Sequence, residues 1–271
     1  MNVAGWVKGA GTLLALTGLL FGVPVAVSLA ALADGVTADR TSTQTAAIEP
    51  GATLSVEATS ANLTILAGPA GQVRVDEHDT VRALTRRLAG ITMARLHTSL
   101  EPGLGGLTVT PSSESFGTIA GFERREVTIY APADVSVAVN IVSGDLRVSG
   151  VRGNISIVSE SGTVRLEDMD VTGTATVHLV SGDVDFSGAI QGGQVELTTV
   201  SGSIHAYLPA GTNLHYQAST ISGEIGLVPG QPRSVLGAGA VGQSASGDLG
   251  TGGPGSLTMN AISGNITLQT S

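Results

Sequence analysis

Apolar and polar residues alternate along the chain from about residue 135 onward, and Ser-Gly pairs interrupt the alternation at regular intervals. The glycines of successive pairs are 18, 20, 20, 21, 24 and 17 residues apart. Alternation with a period of two on both sides of each pair predicts two half-buried strands in every repeat. The seven pairs are Ser143-Gly144, Ser161-Gly162, Ser181-Gly182, Ser201-Gly202, Ser222-Gly223, Ser246-Gly247 and Ser263-Gly264.

Repeats of this length predict an all-β fold, a parallel β-solenoid with rungs of about 20 residues across residues 135–271. Each rung would lie about 4.8 Å above the next, so that equivalent apolar residues form columns in one continuous core. The glycines are expected at the corners between strands, where a positive φ or a close backbone approach is needed. The serines are expected to hydrogen-bond the turn backbone beside them.

The last strand of the repeats is predicted over Asn265, Ile266, Thr267 and Leu268. If it formed the final rung, its N–H and C=O groups would be unpaired, because no further repeat follows it in the sequence. An open strand of this kind accepts an added strand from another chain. Either the preceding glycine-rich stretch folds back over this edge or another chain pairs with it, and we favour a protein partner or a second copy of this chain at this C-terminal edge.

Residues 51–134 are predicted to form an N-terminal β segment that contains a short helix, a small mixed α/β insertion before the repeats. Val81, Leu84 and Leu88 follow Asp79-Thr80 at helical spacing, so a helix is expected to begin there. Strands are predicted around it, at residues 91–100, 107–109 and 126–130.

The N-terminal residues 1–34 are predicted to be a membrane anchor. No charged residue occurs in residues 9–33, a segment long enough for one membrane-spanning helix. Lys8 precedes this segment, which favours a cytoplasmic N-terminus and an extracytoplasmic location for the bulk of the chain. The alternative is a secreted protein cleaved near Ala33, since Ala31-Leu32-Ala33 fits the small-x-small cleavage pattern. Residues 35–50, which are polar and threonine-rich, are predicted to form a stalk.

Charge and composition exclude several classes of function. The net charge is −9 and the sequence has no long basic block, which argues against nucleic acid as a partner. The sequence contains no cysteine, so an exported form has no disulfides. Aromatic residues make up 3% of the chain, which leaves few platforms for stacking on sugars.

No residue is predicted to be catalytic or to bind a cofactor or a metal. Residues 237–242 match the glycine spacing of a dinucleotide fingerprint, but no helix is expected after them. Asp183 and Asp185 lie on one face of a predicted strand, at a separation that glycoside hydrolases use. Arg165 is expected one rung away, where it would form an ion pair with Asp185. The histidines show no metal-ligand spacing.

Repeats of the form Ser-Gly-Asp/Asn-Ile/Val-x-Leu after a membrane span resemble a bacterial "putative adhesin" family of unknown function, membrane-attached proteins with β-strand repeats. The resemblance covers residues 48–271. It implies a non-enzymatic, membrane-tethered extracytoplasmic β-solenoid that acts in surface binding, adhesion or envelope stress. Two alternatives remain open: an exported β-helix carbohydrate-active enzyme and a purely structural surface spacer.

Overall fold

The structure, a computed structural model, describes the backbone of residues 14–16, 25–32, 35–112, 123–227, 234–236 and 242–270. It describes the side chains of residues 36–111, 124–227 and 242–270.

In the described part of the chain, the elements up to residue 132 are one helix and nine strands. They are β1 (Leu14–Leu16), β2 (Val25–Leu32), β3 (Gly35–Ala47), β4 (Thr53–Ser60), β5 (Asn62–Gly68), β6 (Gln72–Ala83), α1 (Arg86–Arg95), β7 (His97–Gly103), β8 (Gly106–Ser112) and β9 (Glu123–Pro132).

The elements after residue 132 are all strands in the described part of the chain. They are β10 (Ser136–Ser143), β11 (Leu146–Ser149), β12 (Ile155–Ser161), β13 (Val164–Val171), β14 (Thr174–Ser181), β15 (Val184–Ile190), β16 (Gln194–Ser201), β17 (Ile204–Leu208), β18 (Leu214–Ser222), β19 (Ile225–Gly226), β20 (Ser234–Leu236), β21 (Gln243–Leu249), β22 (Gly255–Ser263) and β23 (Ile266–Thr270).

Two sheets face each other across one apolar core. The first has the order β1-β2-β3-β6-β9-β5-β11-β13-β15-β17-β23-β19, and the second has the order β20-β21-β18-β22-β16-β14-β12-β10-β4-β8-β7. Strands of the stacked rungs pair in parallel, as in β10 with β12. Strands at three of the four sheet ends pair antiparallel, as in β7 with β8, whereas β19 at the fourth end is parallel to β23. The prediction of an all-β fold is confirmed, and the fold is a solenoid-like stack of two mixed sheets rather than a purely parallel one.

The core is built from columns of equivalent residues. Val139 lies opposite Ile157, and the column continues through Val177, Leu197 and Met259. All five are 3% exposed or less. Since burial of one such side chain stabilises the fold by about 1.5–3 kcal/mol, every rung that joins the stack adds several such contributions. The alternation of apolar and polar residues therefore decides which face of each sheet packs against the core.

The last two rungs do not stack in the order of the sequence. The rung of β22 and β23 lies between the rung of β16 and β17 and the rung of β18 and β19. Ile266 consequently pairs with Ile204 on one side and with Ile225 on the other. The prediction that residues 265–268 form an uncovered terminal edge is therefore wrong. All the repeats share one register, so the sequence columns do not reveal which rung lies beside which.

The repeat around Ser246-Gly247 does not form a rung with a corner. Both residues lie inside β21, which runs antiparallel to β18 with Gly247 opposite Tyr216. Among the described residues of β21, only Ala245 and Leu249 are buried. A strand with so few apolar side chains cannot complete a rung of the core, and it pairs along the neighbouring strand instead.

Residues 35–50 are not a stalk. Twelve residue pairs join β3 to β6 in antiparallel register, from Val36 opposite Ala83 to Ala47 opposite Gln72. The alternating threonines and small residues of β3 suit a strand when a neighbouring strand offers its N–H and C=O groups.

The helix lies farther along the chain than the sequence pattern predicted. Thr85 is its N-cap, and the Thr85 hydroxyl accepts a hydrogen bond from the backbone N–H of Leu88 at 3.3 Å. Val81, expected at the start of the helix, is a buried residue of β6. Thr80 is held in the ladder, where its hydroxyl donates to Asp39 at 2.8 Å, so it does not cap a helix.

The predicted membrane helix over residues 9–33 is not formed in the parts of that segment that the structure describes, residues 14–16 and 25–32. Both are strands, and β2 pairs antiparallel with β3. These residues form strands here rather than the predicted helix, because an apolar, valine-containing segment also suits a strand where a partner strand is present. Elsewhere in the described chain, no helix is long and apolar enough to cross a bilayer. The remainder of the segment lies outside the described residues.

Candidate functional site

Four charged residues are buried or nearly buried where β3, β6 and β9 lie side by side. Arg40 lies opposite Asp79, and Asp79 lies opposite Arg125, so the three form one row across the sheet. Glu77 is two residues before Asp79 and therefore points to the same face. Asp79, Glu77 and Arg125 are 0%, 3% and 5% exposed. We refer to these four residues as the charge cluster.

The two carboxylates and the two guanidinium groups bind one another directly. Asp79 Oδ2 accepts from Arg40 Nη2 at 2.6 Å, and Asp79 Oδ1 lies 3.3 Å from Arg125 Nε. Glu77 Oε1 pairs with Arg125 Nη2, and Glu77 Oε2 accepts from the hydroxyl of Ser42 at 3.1 Å. Buried charges are stable only when they are paired, and the charge cluster pairs two charges of each sign, although Asp79 Oδ1 and Arg40 Nε accept or donate no hydrogen bond among the described residues.

Helix α1 is tied to this cluster at its C-terminal end. Arg40 Nη1 donates to the carbonyl of Met93 at 2.9 Å, and Arg40 Nη2 donates to the carbonyl of Leu96. The last carbonyls of a helix lack partners within the helix and attract a positive charge. The apolar side of α1 covers the same strands, with Ala89 and Met93 packed against Ala38 and Val81. Arg40 therefore joins the sheet, the carboxylates and the helix.

The two carboxylates of the charge cluster titrate differently. Burial, reinforced by the charge of Glu77, raises the pKa of Asp79 to about 6 despite the opposing charge of Arg125. Burial also pushes the pKa of Glu77 upward, but the charge and hydrogen bond of Arg125 outweigh it and lower the pKa of Glu77 below its usual value. At neutral pH both are ionised, and below about pH 6 Asp79 is the first to take up a proton.

A shallow cleft of about 200 Å³ opens beside the charge cluster. Its lining residues are Arg40, Ser42, Gln44, Glu77, Leu96, His97 and Thr98. The charged atoms that reach it are already engaged: Arg40 with α1 and Asp79, and Glu77 with Arg125 and Ser42. The cluster is therefore built to hold α1 on the sheet, and it offers no ionised group free to act on a substrate.

The predicted corner residues lie at corners in six of the seven repeats. Their glycines have φ between 122° and 155°, a region that favours glycine, and they stack directly over one another; they are Gly144, Gly162, Gly182, Gly202, Gly223 and Gly264. A Cβ on Gly182 would lie 2.0 Å from the carbonyl oxygen of Gly162, and a Cβ on Gly202 would lie 1.9 Å from that of Gly182. The backbone carbonyls of the neighbouring serines link successive corners. For example, the N–H of Gly182 donates a hydrogen bond to the carbonyl of Ser201 at 2.8 Å.

Acidic and amide side chains after the corner glycines bind the next rung. Asp183 Oδ1 accepts from the backbone N–H of Ser203 at 2.8 Å, and Asp145 Oδ1 accepts from that of Thr163 at 2.9 Å. Asn265 Oδ1 accepts in the same way from Glu224 at 2.9 Å. The repeat pattern predicts only that these side chains face solvent. Their hydrogen bonds instead continue the backbone ladder around the corner.

The carboxylates considered for glycoside hydrolysis are both engaged and both lie on an open surface. Asp183 accepts from Ser203, while Asp185 pairs with Arg165 at 3.3 Å, as the sequence predicted. Among the described residues, no group of three or more histidine and acidic side chains is arranged to hold a metal ion. The part of the fingerprint at residues 237–241 lies outside the described residues.

Sequence reasoning missed the charge cluster, although a signal was present. Val73, Val75 and Val81 share one face of β6, and Glu77 and Asp79 occupy the same face between them. Charged residues in an otherwise apolar column indicate a buried ion pair or a site.

Comparisons with known proteins agree with the repeat pattern. Residues 135–269 match the model of the family described as Toastrack DUF4097. No curated protein matches the chain.

Several solved structures align with most of this chain at low sequence identity. A "putative cell adhesion protein" from Clostridium sporogenes is 13% identical, with 84% of this chain and 99% of that chain covered and a TM-score of 0.46. A "putative adhesin" from Bacteroides fragilis is 12% identical, with 85% and 97% covered and a TM-score of 0.42. A "putative lipid binding protein" from Parabacteroides distasonis is 11% identical, with 85% and 96% covered and a TM-score of 0.25. At these identities no residue role passes from those proteins to this chain.

Proposed function

From the premise that residues 135–269 belong to the Toastrack DUF4097 family, we propose that this chain is a non-enzymatic binding module at the bacterial cell surface, acting in adhesion or in sensing of the envelope. A binding role is favoured over catalysis because the buried carboxylates in the described residues are neutralised by arginines and the exposed pair at residues 183 and 185 is already bonded.

The observation that carries this proposal is the outer face of the second sheet. Its outward side chains on β10, β12, β14, β16, β22 and β18 are mostly uncharged, as with Thr174, Thr176 and His178 on β14. Equivalent positions repeat at intervals of about 4.8 Å along the stack. A broad, regular face suits contact with an extended partner, whereas small substrates are held in concave pockets.

The proposed location is extracytoplasmic, with residues 9–33 in the membrane. Those residues carry no charge, and Lys8 precedes them. In lipid a helix is the favoured form of this segment, because it pairs all its backbone groups internally, whereas a strand there would depend on a neighbour and leave an edge open. On insertion of residues 9–33 into the membrane, β2 would give up its pairing with β3 and become part of the helix.

Protease treatment of intact protoplasts tests the location. We expect degradation of everything beyond about residue 35 and protection of a short N-terminal fragment. Protection of the repeats would contradict an extracytoplasmic location, and release of the whole chain into the medium would support cleavage near Ala33 instead.

Binding is tested with the purified full-length chain and isolated cell envelopes. We expect saturable co-sedimentation that survives mutation of the exposed carboxylates, for example Asp183→Asn with Asp185→Asn. Loss of envelope components to hydrolysis, abolished by the same double substitution, would overturn the non-enzymatic proposal. The absence of saturable binding would contradict a binding role and would favour the alternative that the chain is a structural spacer.

A further inference from the structure

One corner of the stack carries a column of exposed β-branched residues. They are the residues two positions before the corner glycines in four neighbouring rungs: Val180, Val200, Ile262 and Ile221, in the order in which the rungs stack. They are 53%, 41%, 48% and 55% exposed. The rung order follows from the insertion of β22 between β16 and β18, so the two isoleucines become neighbours only in the folded chain. We refer to these four residues as the ridge.

The positions that flank the ridge along its strands are uncharged, and the nearest carboxylates, Asp183 and Glu224, lie beyond the corner glycines. The outward positions two residues before it are His178, Thr198, Asn260 and Ser219, and the positions directly after it are Ser181, Ser201, Ser263 and Ser222. This lack of acidic and basic side chains contrasts with a net charge of −9 for the chain as a whole. Depletion of charge around a continuous apolar strip is typical of the centre of a protein interface.

The ridge ends at a charged residue. In the next rung toward the N-terminus, the equivalent position is Glu160, and Val142 lies one rung beyond it with 40% exposure. Val142 has the chemistry and exposure of a ridge residue but no apolar neighbour in the column on the Glu160 side. It therefore provides a matched control for any test of the ridge.

We propose that the ridge is a self-association surface and that its partner is the ridge of a second copy of this chain. This inference rests on the proposed binding role and deepens it by naming one partner. A column of identical spacing fits best against another column with the same rise of about 4.8 Å, which a second copy supplies. The uncharged positions that flank the ridge along its strands also allow two acidic chains to approach with the nearest carboxylates, Asp183 and Glu224, beyond the corner glycines and outside the line of contact.

A two-fold axis between Val200 and Ile262 gives the paired arrangement. The two ridges then run antiparallel, with Val200 of one copy against Ile262 of the other and Val180 against Ile221. Such an interface uses the same surface on both copies and closes at the dimer. Each substitution in the ridge is present twice in the interface, which doubles its effect.

The ridge is short, which sets the strength of the association. It spans three rung intervals, about 14 Å, well below the length of an interface that buries the roughly 800 Å² per partner of a stable complex. We therefore expect weak association in dilute solution. Copies held together on one surface experience millimolar effective concentrations, at which a weak contact is occupied.

Cysteine cross-linking tests the arrangement directly, because the sequence contains no cysteine. The full-length chain is reconstituted into vesicles as Val200→Cys, as Ile262→Cys and as a mixture of the two, and is then oxidised. We expect the mixture to give at least about 10-fold more disulfide-linked dimer than either variant alone, and Val142→Cys to remain monomeric. Equal cross-linking of Val142→Cys, or a dominant dimer formed by Val200→Cys on its own, would overturn the proposal.

A charge substitution supplies an independent measurement. Val200→Glu places two carboxylates in the interface and should weaken self-association in sedimentation of the full-length chain at least about 10-fold, while Val142→Glu should change it less than about twofold. Unchanged melting curves would exclude misfolding in both variants. If both substitutions leave association unchanged, the contact lies elsewhere and the proposal fails. If Val200→Glu leaves self-association unchanged while saturable envelope binding persists, the ridge proposal alone fails and the proposed surface function stands.

Discussion

The stacked rungs, which include β4 and β5, are held by contacts that repeat from one rung to the next, whereas the antiparallel region of β3, β6 and β9 is joined by one cluster of buried charges. In the rungs, a corner glycine lies over the carbonyl of the preceding corner, and charged side chains remain on the outside. In the antiparallel region, Arg40 and Arg125 neutralise Glu77 and Asp79 beneath α1.

The two regions therefore respond differently to damage. A side chain added at one corner disturbs the ladder on both sides of it, because each rung rests on its neighbours. Removal of one member of the charge cluster leaves its buried partner unpaired, and the effect is confined to that site. The repeated region should be most sensitive to added volume, and the antiparallel region to lost charge.

The largest effect is expected for Gly182→Ala. The new Cβ would lie 2.0 Å from the carbonyl oxygen of Gly162, at a φ of 131°. Backbone strain and overpacking of this kind together cost about 5 kcal/mol. Urea unfolding followed by circular dichroism measures the loss.

Gly211→Ala is the matched control for this substitution. Gly211 also has a positive φ, 78°, but a Cβ there would meet nothing within 4 Å. Its cost should be about 1 kcal/mol, from strain alone. Equal losses in the two variants would show that backbone conformation, and not the stacking of corners, limits the ladder.

Arg125→Met comes second and tests the antiparallel region. It removes one positive charge from the cluster and leaves Glu77 and Asp79 buried with Arg40 alone. Breaking a buried ion pair on one side costs about 4 kcal/mol.

The adjacent Arg124 provides the control for this prediction. Its side chain is 58% exposed and pairs with Glu126 on the surface. Arg124→Met should therefore change the free energy of unfolding by less than about 0.5 kcal/mol. A similar loss in both variants would mean that the buried cluster contributes no more than a surface ion pair.

The sequence predicted the repeated region well because its information is local and recurrent. Columns such as Val139, Ile157 and Val177 hold an apolar residue in six of the seven repeats, and a corner glycine marks the turn within a few residues. The repeat columns could not predict the stacking order of the last two rungs. Ile266 fits Ile204 and Ile225 equally well, so only the path of the connecting segments decides the order.

The charge cluster was less predictable because its members come from three separate segments. Arg40, Asp79 and Arg125 meet only after β3 and β9 have paired with β6 in the right register. The apolar neighbours of Glu77 and Asp79 indicated burial but not the partners. The helix was misplaced for a related reason: Val81 belongs to a strand that pairing with β3 extends past the apparent cap at Thr80.

A pH dependence confined to the charge cluster is the third prediction. The pKa of Asp79 is raised from 3.8 to about 6, so the folded chain holds a proton that the unfolded chain has released. The stabilisation from this proton is present below about pH 4 and is lost as pH rises through 6. Between these limits the free energy of unfolding of the unmodified chain should fall by roughly 3 kcal/mol relative to that of Asp79→Asn.

Unfolding of both proteins at several pH values from 4 to 7 measures this difference. The groups that face Asp79, namely Glu77, Arg40 and Arg125, are the same in both proteins, so their titration largely cancels. Glu77 acts in the opposite direction. Because its pKa is lowered in the folded chain, its ionised carboxylate stabilises the fold above pH 4.5, and this stabilisation is lost on acidification. Parallel profiles for the two proteins would show that Asp79 keeps its ordinary pKa.

The smallest effect is expected at Asp183, and it separates the hydrogen bond of a corner side chain from its charge. Asp183→Ala removes the acceptor for the backbone N–H of Ser203, while Asp183→Asn keeps an oxygen in the same place. Because the site is exposed, water partly replaces the lost bond, and Asp183→Ala should destabilise the fold by about 1 kcal/mol. Asp183→Asn should be neutral within about 0.5 kcal/mol, since Asn265 already performs this role for Glu224. Equal stability of the alanine and asparagine variants would mean that the backbone ladder alone holds the corner. A large loss of stability in Asp183→Asn would instead mean that the negative charge of Asp183 stabilises the corner. The repeated region would then depend on charge, as the charge cluster does.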